Sequence, residues 1–86
     1  MGRQVYRVSG AEQLVQMAND IGNFFRAEPK REDAIAGIVN HISKYWTRRM
    51  REKLIAQLQH GDQSLDELPR EAMRRLTAQA AAAPSA

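Results

Sequence analysis

The feature that most constrains the fold is a pair of apolar stripes, each with the spacing of an α-helix. The first stripe consists of Leu14, Met17, Ala18, Ile21, Phe24 and Phe25. The second repeats that spacing 21 residues later, at Ile35, Ile38, Val39, Ile42, Tyr45 and Trp46. Residues at these intervals share one helical face. The sequence therefore predicts two amphipathic helices. They either form a matched αα-hairpin or look alike only because all amphipathic helices share this pattern.

Capping and helix-breaking residues predict where these helices begin and end. The segment Ser9-Gly10-Ala11-Glu12 fits a capping box, which predicts a start at Ser9. Pro29 is predicted to close the first helix, because the residue before a proline is disfavoured in the α region. The second helix then begins near Pro29, with Glu32 and Asp33 in its first turn, where acidic residues favour the helix dipole.

Two shorter helices are predicted to follow. Thr47 is a candidate N-cap for the third, and Gly61 is its expected end. Pro69 is tolerated only in a first turn, so the regular part of the fourth helix is predicted to begin close to it. Asp66–Arg70 and Glu71–Arg75 are predicted to form ion pairs on its outer face, because the partners lie four residues apart. The predicted fold class is all-α, with a three- to four-helix domain over residues 9–76. Residues 1–8 are interpreted as an extended arm or a frayed terminus, and residues 77–86 as a loose Ala-rich tail.

Length and composition exclude several classes of protein. A chain of 86 residues is long enough for one small domain. It contains no cysteine, which excludes disulfides, thiolate metal sites and a Cys nucleophile. No apolar run approaches the roughly 20 residues of a membrane span, and the first residues resemble no signal peptide. We therefore expect a cytoplasmic protein.

The residues that could carry catalysis are few. His41 and His60 have no His or Asp three or four positions further on, as a zinc site would need. We expect His41 at a solvent-exposed edge and His60 in the last turn of the third helix, where an imidazole suits the helix dipole. The acidic pairs Glu32/Asp33 and Asp66/Glu67 stand at helix starts, where capping explains them. No phosphate-binding loop or known catalytic motif occurs. The sequence predicts no catalytic, cofactor-binding or metal-binding residue.

One basic cluster needs an explanation. Lys44, Arg48, Arg49, Arg51 and Lys53 stand against Glu52, a sum of +5 − 1 = +4 over ten residues. Basic residues beside aromatic rings are compatible with nucleic-acid binding. On a helical wheel, however, the cations of the third helix surround it, whereas a recognition helix concentrates them on one face. A small basic nucleic-acid-binding module is therefore the alternative hypothesis. A solvated charge run, or pairing with an acidic protein surface, is favoured.

Each predicted long helix ends in two adjacent aromatic rings, Phe24-Phe25 and Tyr45-Trp46. One ring of each pair can face the core while the other lies at its border. Together with the off-stripe residues Val15 and Ile55, border rings predict an exposed apolar patch, which is typical of a partner interface. A simple core with irregular edges would give the same pattern. The candidate interface residues are Phe24, Tyr45, Arg48, Arg49 and Arg51.

Three segments resemble one known family. They are MANDIGNFF at 17–25, IVNHISKYW at 38–46 and RMR at 49–51. Their order and spacing are similar to the delta subunit of the soluble NAD-dependent formate dehydrogenase, over about residues 12–58. Thr47 and Arg48 depart from that pattern, because the family often has Asp and Pro at these positions. Thr still caps a helix and Arg is tolerated in a first turn, so the architecture is expected to persist.

The resemblance implies an accessory subunit of a molybdenum- or tungsten-dependent complex that oxidises formate to carbon dioxide and reduces NAD. In that family the alpha subunit holds bis-molybdopterin guanine dinucleotide and iron–sulfur clusters, while the beta and gamma subunits carry FMN and transfer electrons. The delta subunit is free of cofactors. The resemblance implies that it docks on the alpha subunit and supports assembly, cofactor insertion or stability.

Overall fold

The computed structural model describes the backbone of residues 4–82 and the side chains of residues 10–80. Within that part of the chain every regular element is an α-helix, so the all-α class is confirmed. The four helices are α1 (Gln4–Phe25), α2 (Arg31–Tyr45), α3 (Arg48–Gln59) and α4 (Glu67–Ala82). Helix α2 packs against α1 and α4, and α1 also contacts α3 and α4. Helix α1 is thus the element that all three others touch.

Both predicted stripes contribute to the core, together with α3, the α3–α4 connection and α4. Ile35, Ile38 and Ile42 of α2 are completely excluded from solvent. The buried cluster consists of Leu14, Val15, Ala18, Ile35, Ile38, Ile42, Trp46, Leu54, Leu65, Ala72 and Met73. The second stripe therefore faces the core as predicted, except for Tyr45, the border ring, which is exposed.

The buried face of α1 is rotated from the predicted stripe. Val15 was placed off the stripe, as part of an exposed apolar patch, but is only 5% exposed, whereas Met17 was placed on the stripe and is 37% exposed. Both expectations were wrong because α1 packs against three helices instead of one. The buried face of α1 is the one that points between those neighbours, and this face includes Val15 but not Met17.

Several predicted helix signals are confirmed. The backbone N–H of Met50 donates to Thr47 Oγ1 at 3.2 Å, so Thr47 caps α3. Gly61 follows α3 with a φ of 96°, a left-handed conformation that favours glycine. Pro69 lies in the first turn of α4, where a proline breaks no helical hydrogen bond.

The outer ends of α1 and α4 differ from the predicted boundaries. Helix α1 begins at Gln4, so residues 4–8 of the predicted arm are helical, while residues 1–3 lie outside the described residues. Helix α4 continues to Ala82 through part of the predicted tail, and residues 83–86 lie outside the described residues. Neither extension contains a breaker. Adding residues to a formed helix avoids the cost of nucleation, and alanine has the highest helix propensity.

Asn19, in the middle of α1, fixes the connection between α3 and α4. Its Nδ2 donates to the Ser64 carbonyl at 3.1 Å, and its Oδ1 accepts from the Asp66 backbone N–H at 2.8 Å. One turn further on, Gly22 lies so close to Pro69 that an added Cβ would be 2.8 Å from the Pro69 Cδ. These contacts hold the start of α4 against α1.

Candidate protein-interaction surface

Four rings form a continuous row across the C-terminal ends of α1 and α2, and we call this row the aromatic surface. Phe24 and Phe25 are perpendicular, with ring centroids 5.0 Å apart. Phe25 is 6.4 Å from His41, and His41 is 4.8 Å from Tyr45. Phe24 is 75% exposed and Tyr45 is 67% exposed. The structure thus brings two of the predicted interface residues to the two ends of one row.

The middle of the aromatic surface is fixed by a glycine. A Cβ added to Gly37 would lie 2.5 Å from two ring carbons of Phe25, so the ring occupies the space that any other residue would fill. This contact anchors the end of α1 on the middle of α2. Beside it lies a shallow, mainly apolar groove of about 310 Å³, lined by Asp20, Ile21, Phe24, Phe25 and His41. His41, expected at a solvent-exposed edge, is half-buried there.

Trp46 differs from its neighbour Tyr45. The Trp46 side chain is buried in the core at the corner between α2 and α3. Arg51 Nη1 donates to the Trp46 carbonyl at 3.3 Å and so reinforces the same corner. One ring of this aromatic pair therefore stabilises the fold, while the other is presented to solvent.

The three candidate arginines of α3 have different surroundings. Arg48 is exposed and its Nε forms an ion pair with Glu52 Oε2 at 2.9 Å. Arg49 is exposed and, with Gly10 and Leu14 of α1, lines a shallow groove between α1 and α3. Arg51 is half-buried against the α2–α3 corner. The cations are thus distributed around α3, as the helical wheel predicted.

Ion pairs connect α2 to α4 at the N-terminal end of α2, away from the aromatic surface. Arg75 donates from Nη1 and Nη2 to the two carboxylate oxygens of Glu32, both at 2.8 Å, and Arg31 pairs with Glu67. The hydrogen bonds and charge of Arg75, with a smaller effect of Arg31, hold the pKa of Glu32 below its usual value. No sequence pattern had indicated these pairs, because the residues lie far apart in the chain.

The ion pairs that helical spacing predicted within α4 are only partly present. Glu71 and Arg75 pair at 3.2 Å, as expected for positions four residues apart. Arg70 was expected to pair with Asp66. Instead its Nη2 donates to the carbonyl oxygens of Leu65 at 2.6 Å and Gln63 at 3.3 Å. Backbone carbonyls that precede α4 compete successfully for this guanidinium.

A second apolar surface, which we call the α3–α4 groove, lies between those two helices. It has a volume of about 490 Å³ and is lined by Ile55, Leu58, Gln59, Arg70, Met73, Arg74, Thr77 and Ala78. The single apolar patch expected from border residues is therefore wrong. Phe24 lines one surface and Ile55 lines another, because Phe24 lies beside α2 at the end of α1, whereas Ile55 lies on the side of α3 next to α4.

Metal-ligating clusters and membrane-spanning helices are both absent from the residues that the structure describes. Residues 10–80 contain no group of three or more His, Asp or Glu side chains that could hold a metal ion. Among the described helices, none combines the length and the apolar character needed to cross a membrane. The exposed features that distinguish this part of the chain are its two apolar surfaces.

The comparisons with known proteins are consistent with the earlier resemblance. No curated protein and no solved structure matches the chain. A protein family described as the NADH-dependent formate dehydrogenase delta subunit, FdsD, matches residues 13–73. That match covers more than half of the 86 residues and extends beyond the three motifs into α4. The chain therefore belongs to the family of formate dehydrogenase delta subunits.

Proposed function

We propose that the chain is a non-catalytic subunit of a cytoplasmic NAD-dependent formate dehydrogenase and docks on the catalytic alpha subunit. In the alpha-beta-gamma-delta complex, formate is oxidised to carbon dioxide and NAD is reduced by cofactors held in the other subunits. This chain supports assembly, cofactor insertion or stability of the complex. The observation that carries the proposal is the family match over residues 13–73.

The aromatic surface is the proposed docking site. Aromatic side chains are enriched in protein interfaces and often dominate their binding energy. Phe24 and Tyr45 present most of their rings to solvent, although burying them inside the domain would be favourable. Phe25 is fixed against Gly37, so the middle of the row is held in place before a partner arrives. A surface that is ordered in advance loses less entropy on binding.

The arginines of α3 are proposed to complete this interface. Arg48 and Arg49 are exposed on the helix that follows Tyr45 and Trp46 directly in the chain. An arginine can donate two parallel hydrogen bonds to a carboxylate, which favours an acidic partner surface. Arg51 contributes by holding the α2–α3 corner through the Trp46 carbonyl. Large rings with adjoining arginines are the residue types that most often anchor an interface.

A pull-down of the alpha subunit tests the docking proposal. The variants are Phe24→Ser, Tyr45→Ser and Arg49→Glu, each first checked for retained helicity. Gln16→Ser on the exposed side of α1 and Lys30→Glu before α2 are matched controls for the polar and the charge-reversing changes. We expect the three interface variants to recover less alpha subunit than both controls. Full recovery by all three folded variants would place the interface elsewhere, and no recovery by the wild type would exclude docking on alpha.

Ionic strength separates this function from the nucleic-acid alternative. An interface carried by aromatic rings persists at high salt, whereas binding to phosphates weakens steeply because it depends on counterion release. We therefore expect the alpha subunit to remain bound after a high-salt wash. Retention of nucleic acid at low salt, with loss of the alpha subunit at high salt, would favour the alternative.

The assembly role is tested by producing the complex with and without this chain. We expect the complex made without it to contain less molybdenum or tungsten per alpha subunit, or to lose activity faster on warming. Adding the purified chain afterwards distinguishes these two roles. Restored thermal stability indicates stabilisation, while a metal deficit that persists indicates a role during cofactor insertion.

A further inference from the structure

We propose that the α3–α4 groove is a second docking surface, and that its occupant is an amphipathic helix of another protein with carboxylates beside its apolar stripe. The proposal concerns different helices from the aromatic surface and does not depend on the partner of that surface.

The floor of the groove is apolar. Met73 is buried beneath it, and Ile55 and Leu58 form its α3 wall as half-buried side chains. Ala78, a small exposed residue, leaves space on the α4 wall. Two helices with a trough between them present a shape that fits the apolar side of a third helix. The groove is too open to enclose a small molecule, which would need most of its surface buried.

The charged residues at the rim of the groove indicate the charge of the helix that would bind there. The ionic residues that line the groove are Arg70 and Arg74, and no acidic residue lines it. A guanidinium carries five N–H donors. Among the described residues, Arg70 uses Nη2 for loop carbonyls and Arg74 uses Nε for Glu71 Oε1 at 3.0 Å. The Nη1 and Nη2 groups of Arg74 can therefore bind a carboxylate as a pair, and Arg70 retains Nη1 and Nε as single donors.

Arg70 is also held in position before any partner binds. Its contacts with the carbonyls of Gln63 and Leu65 fix the guanidinium at the start of α4. A side chain that is already ordered loses little entropy when it binds a carboxylate. An apolar floor beside two cationic groups of α4, one of them fixed, is therefore complementary to an acidic amphipathic helix.

The test uses two designed helical peptides and the full-length chain. Both peptides carry the same leucine stripe, which is bordered by glutamates in one and by lysines in the other. NMR spectra of the methyl groups of Ile55, Leu58 and Met73 report whether a peptide enters the groove. We expect the glutamate peptide to shift these signals and to bind at least about tenfold more tightly than the lysine peptide, since like charges oppose docking.

Two pairs of variants locate the binding. Ala78→Glu places a carboxylate in the groove, and Ala80→Glu makes the same change elsewhere on the exposed surface of α4. Arg74→Glu reverses a rim charge. Its control is Lys30→Glu before α2, which reverses an exposed positive charge outside the groove and outside the aromatic surface. Ala78→Glu and Arg74→Glu should each weaken the glutamate peptide, and Arg74→Glu should improve the lysine peptide. The two controls should change neither.

Three results would overturn the proposal. Equal affinity for both peptides would show that the arginines do not select an acidic helix. Shifts confined to residues outside the groove would place the peptide elsewhere. Concentration-dependent dimers that Ala78→Glu abolishes and Ala80→Glu retains would make a second copy of this chain the occupant. None of these results depends on the alpha subunit, so failure here and failure of the proposed function are distinguishable.

Discussion

The two ends of helix α2 differ in how their side chains are covered. At the N-terminal end, Glu32 accepts two hydrogen bonds from Arg75, and Arg31 pairs with Glu67. These pairs lie across the α2–α4 contact and complete it within the molecule. At the C-terminal end, Tyr45 extends into solvent as part of the aromatic surface. The comparison teaches that contacts within the molecule cover one end of the helix, while the other end presents an aromatic ring to solvent.

Within the C-terminal end the same division is found between adjacent residues. Trp46 is 5% exposed and belongs to the core, whereas Tyr45 is 67% exposed. The two rings are neighbours in the chain but lie on different sides of the α2–α3 corner. The stability of the domain and the proposed docking can therefore be tested separately by substitutions one residue apart.

The largest effect is expected for Trp46→Ala. Removing a fully buried tryptophan leaves a cavity, and such changes cost about 3–5 kcal/mol. The free energy of unfolding of a natural domain is only about 5–15 kcal/mol, so this substitution would remove a large share of the stability. A urea or thermal melt followed by circular dichroism measures the change.

Tyr45→Ala is the matched control for that substitution. It removes the neighbouring ring, and its effect on the free energy of unfolding should stay within about 0.5 kcal/mol because the ring is exposed. Equal destabilisation by both variants would contradict the division between the two rings.

A smaller effect is expected for Gly37→Ala at the centre of the aromatic surface. The new Cβ would lie 2.5 Å from the Phe25 ring, so the ring must leave its position. Overpacking typically costs about 1–3 kcal/mol. Replacing a helical glycine with alanine gains up to about 1 kcal/mol in helix propensity, and this offsets part of the loss. We expect a net destabilisation of about 1 kcal/mol and changed NMR signals for the Phe25 ring.

A double-mutant cycle with Phe25→Ala isolates the steric part of this effect. Without the ring, Gly37→Ala should become stabilising, because only the gain in helix propensity remains. If Gly37→Ala destabilises the domain equally in both backgrounds, the contact with Phe25 does not explain the need for glycine.

Much of the fold could be predicted from the sequence because its signals are local. Thr47, Gly61 and Pro69 act through their own backbone positions, and each marks a helix end as expected. The stripe of α2 was also predicted correctly. Val15 and Met17 were not, because their burial depends on how many helices surround α1. The outer ends of α1 and α4 were missed because both segments lack a breaker.

The candidate surface could be predicted only in part, because some of its contacts leave no local signal in the sequence. Exposure of Phe24 and Tyr45 follows from their border positions on the helical wheels. The contact between Phe25 and Gly37 and the ion pairs across α2 and α4 join residues distant in sequence. Spacing within one helix carries no information about such pairs. The α3–α4 groove depends on the angle between two helices, and the only sequence signal for it was the off-stripe position of Ile55.

The smallest effect is expected at the N-terminal end of α2, and it depends on pH. Arg75 holds the pKa of Glu32 below its ordinary value of 4.5, mainly by hydrogen bonding and then by charge. A carboxyl group whose pKa is lower in the folded state stabilises the fold above its unfolded pKa. That contribution is lost as the pH falls through the folded value. Glu32→Gln should therefore lower the melting temperature at pH 7, and the difference from the wild type should shrink below about pH 4.5.

Asp33→Asn is the matched control for Glu32→Gln. It also removes one negative charge from the first turn of α2, so both variants lose the same kind of interaction with the helix dipole. Asp33 takes part in none of the ion pairs found among residues 10–80, which leaves the contact with Arg75 as the difference between the two variants. We expect the larger loss at pH 7 for Glu32→Gln, and we expect added salt to reduce it because exposed ion pairs are screened. If the two variants have the same melting temperature at every pH, the Glu32–Arg75 pair does not stabilise the contact between α2 and α4. The two ends of α2 would then differ only in their apolar packing.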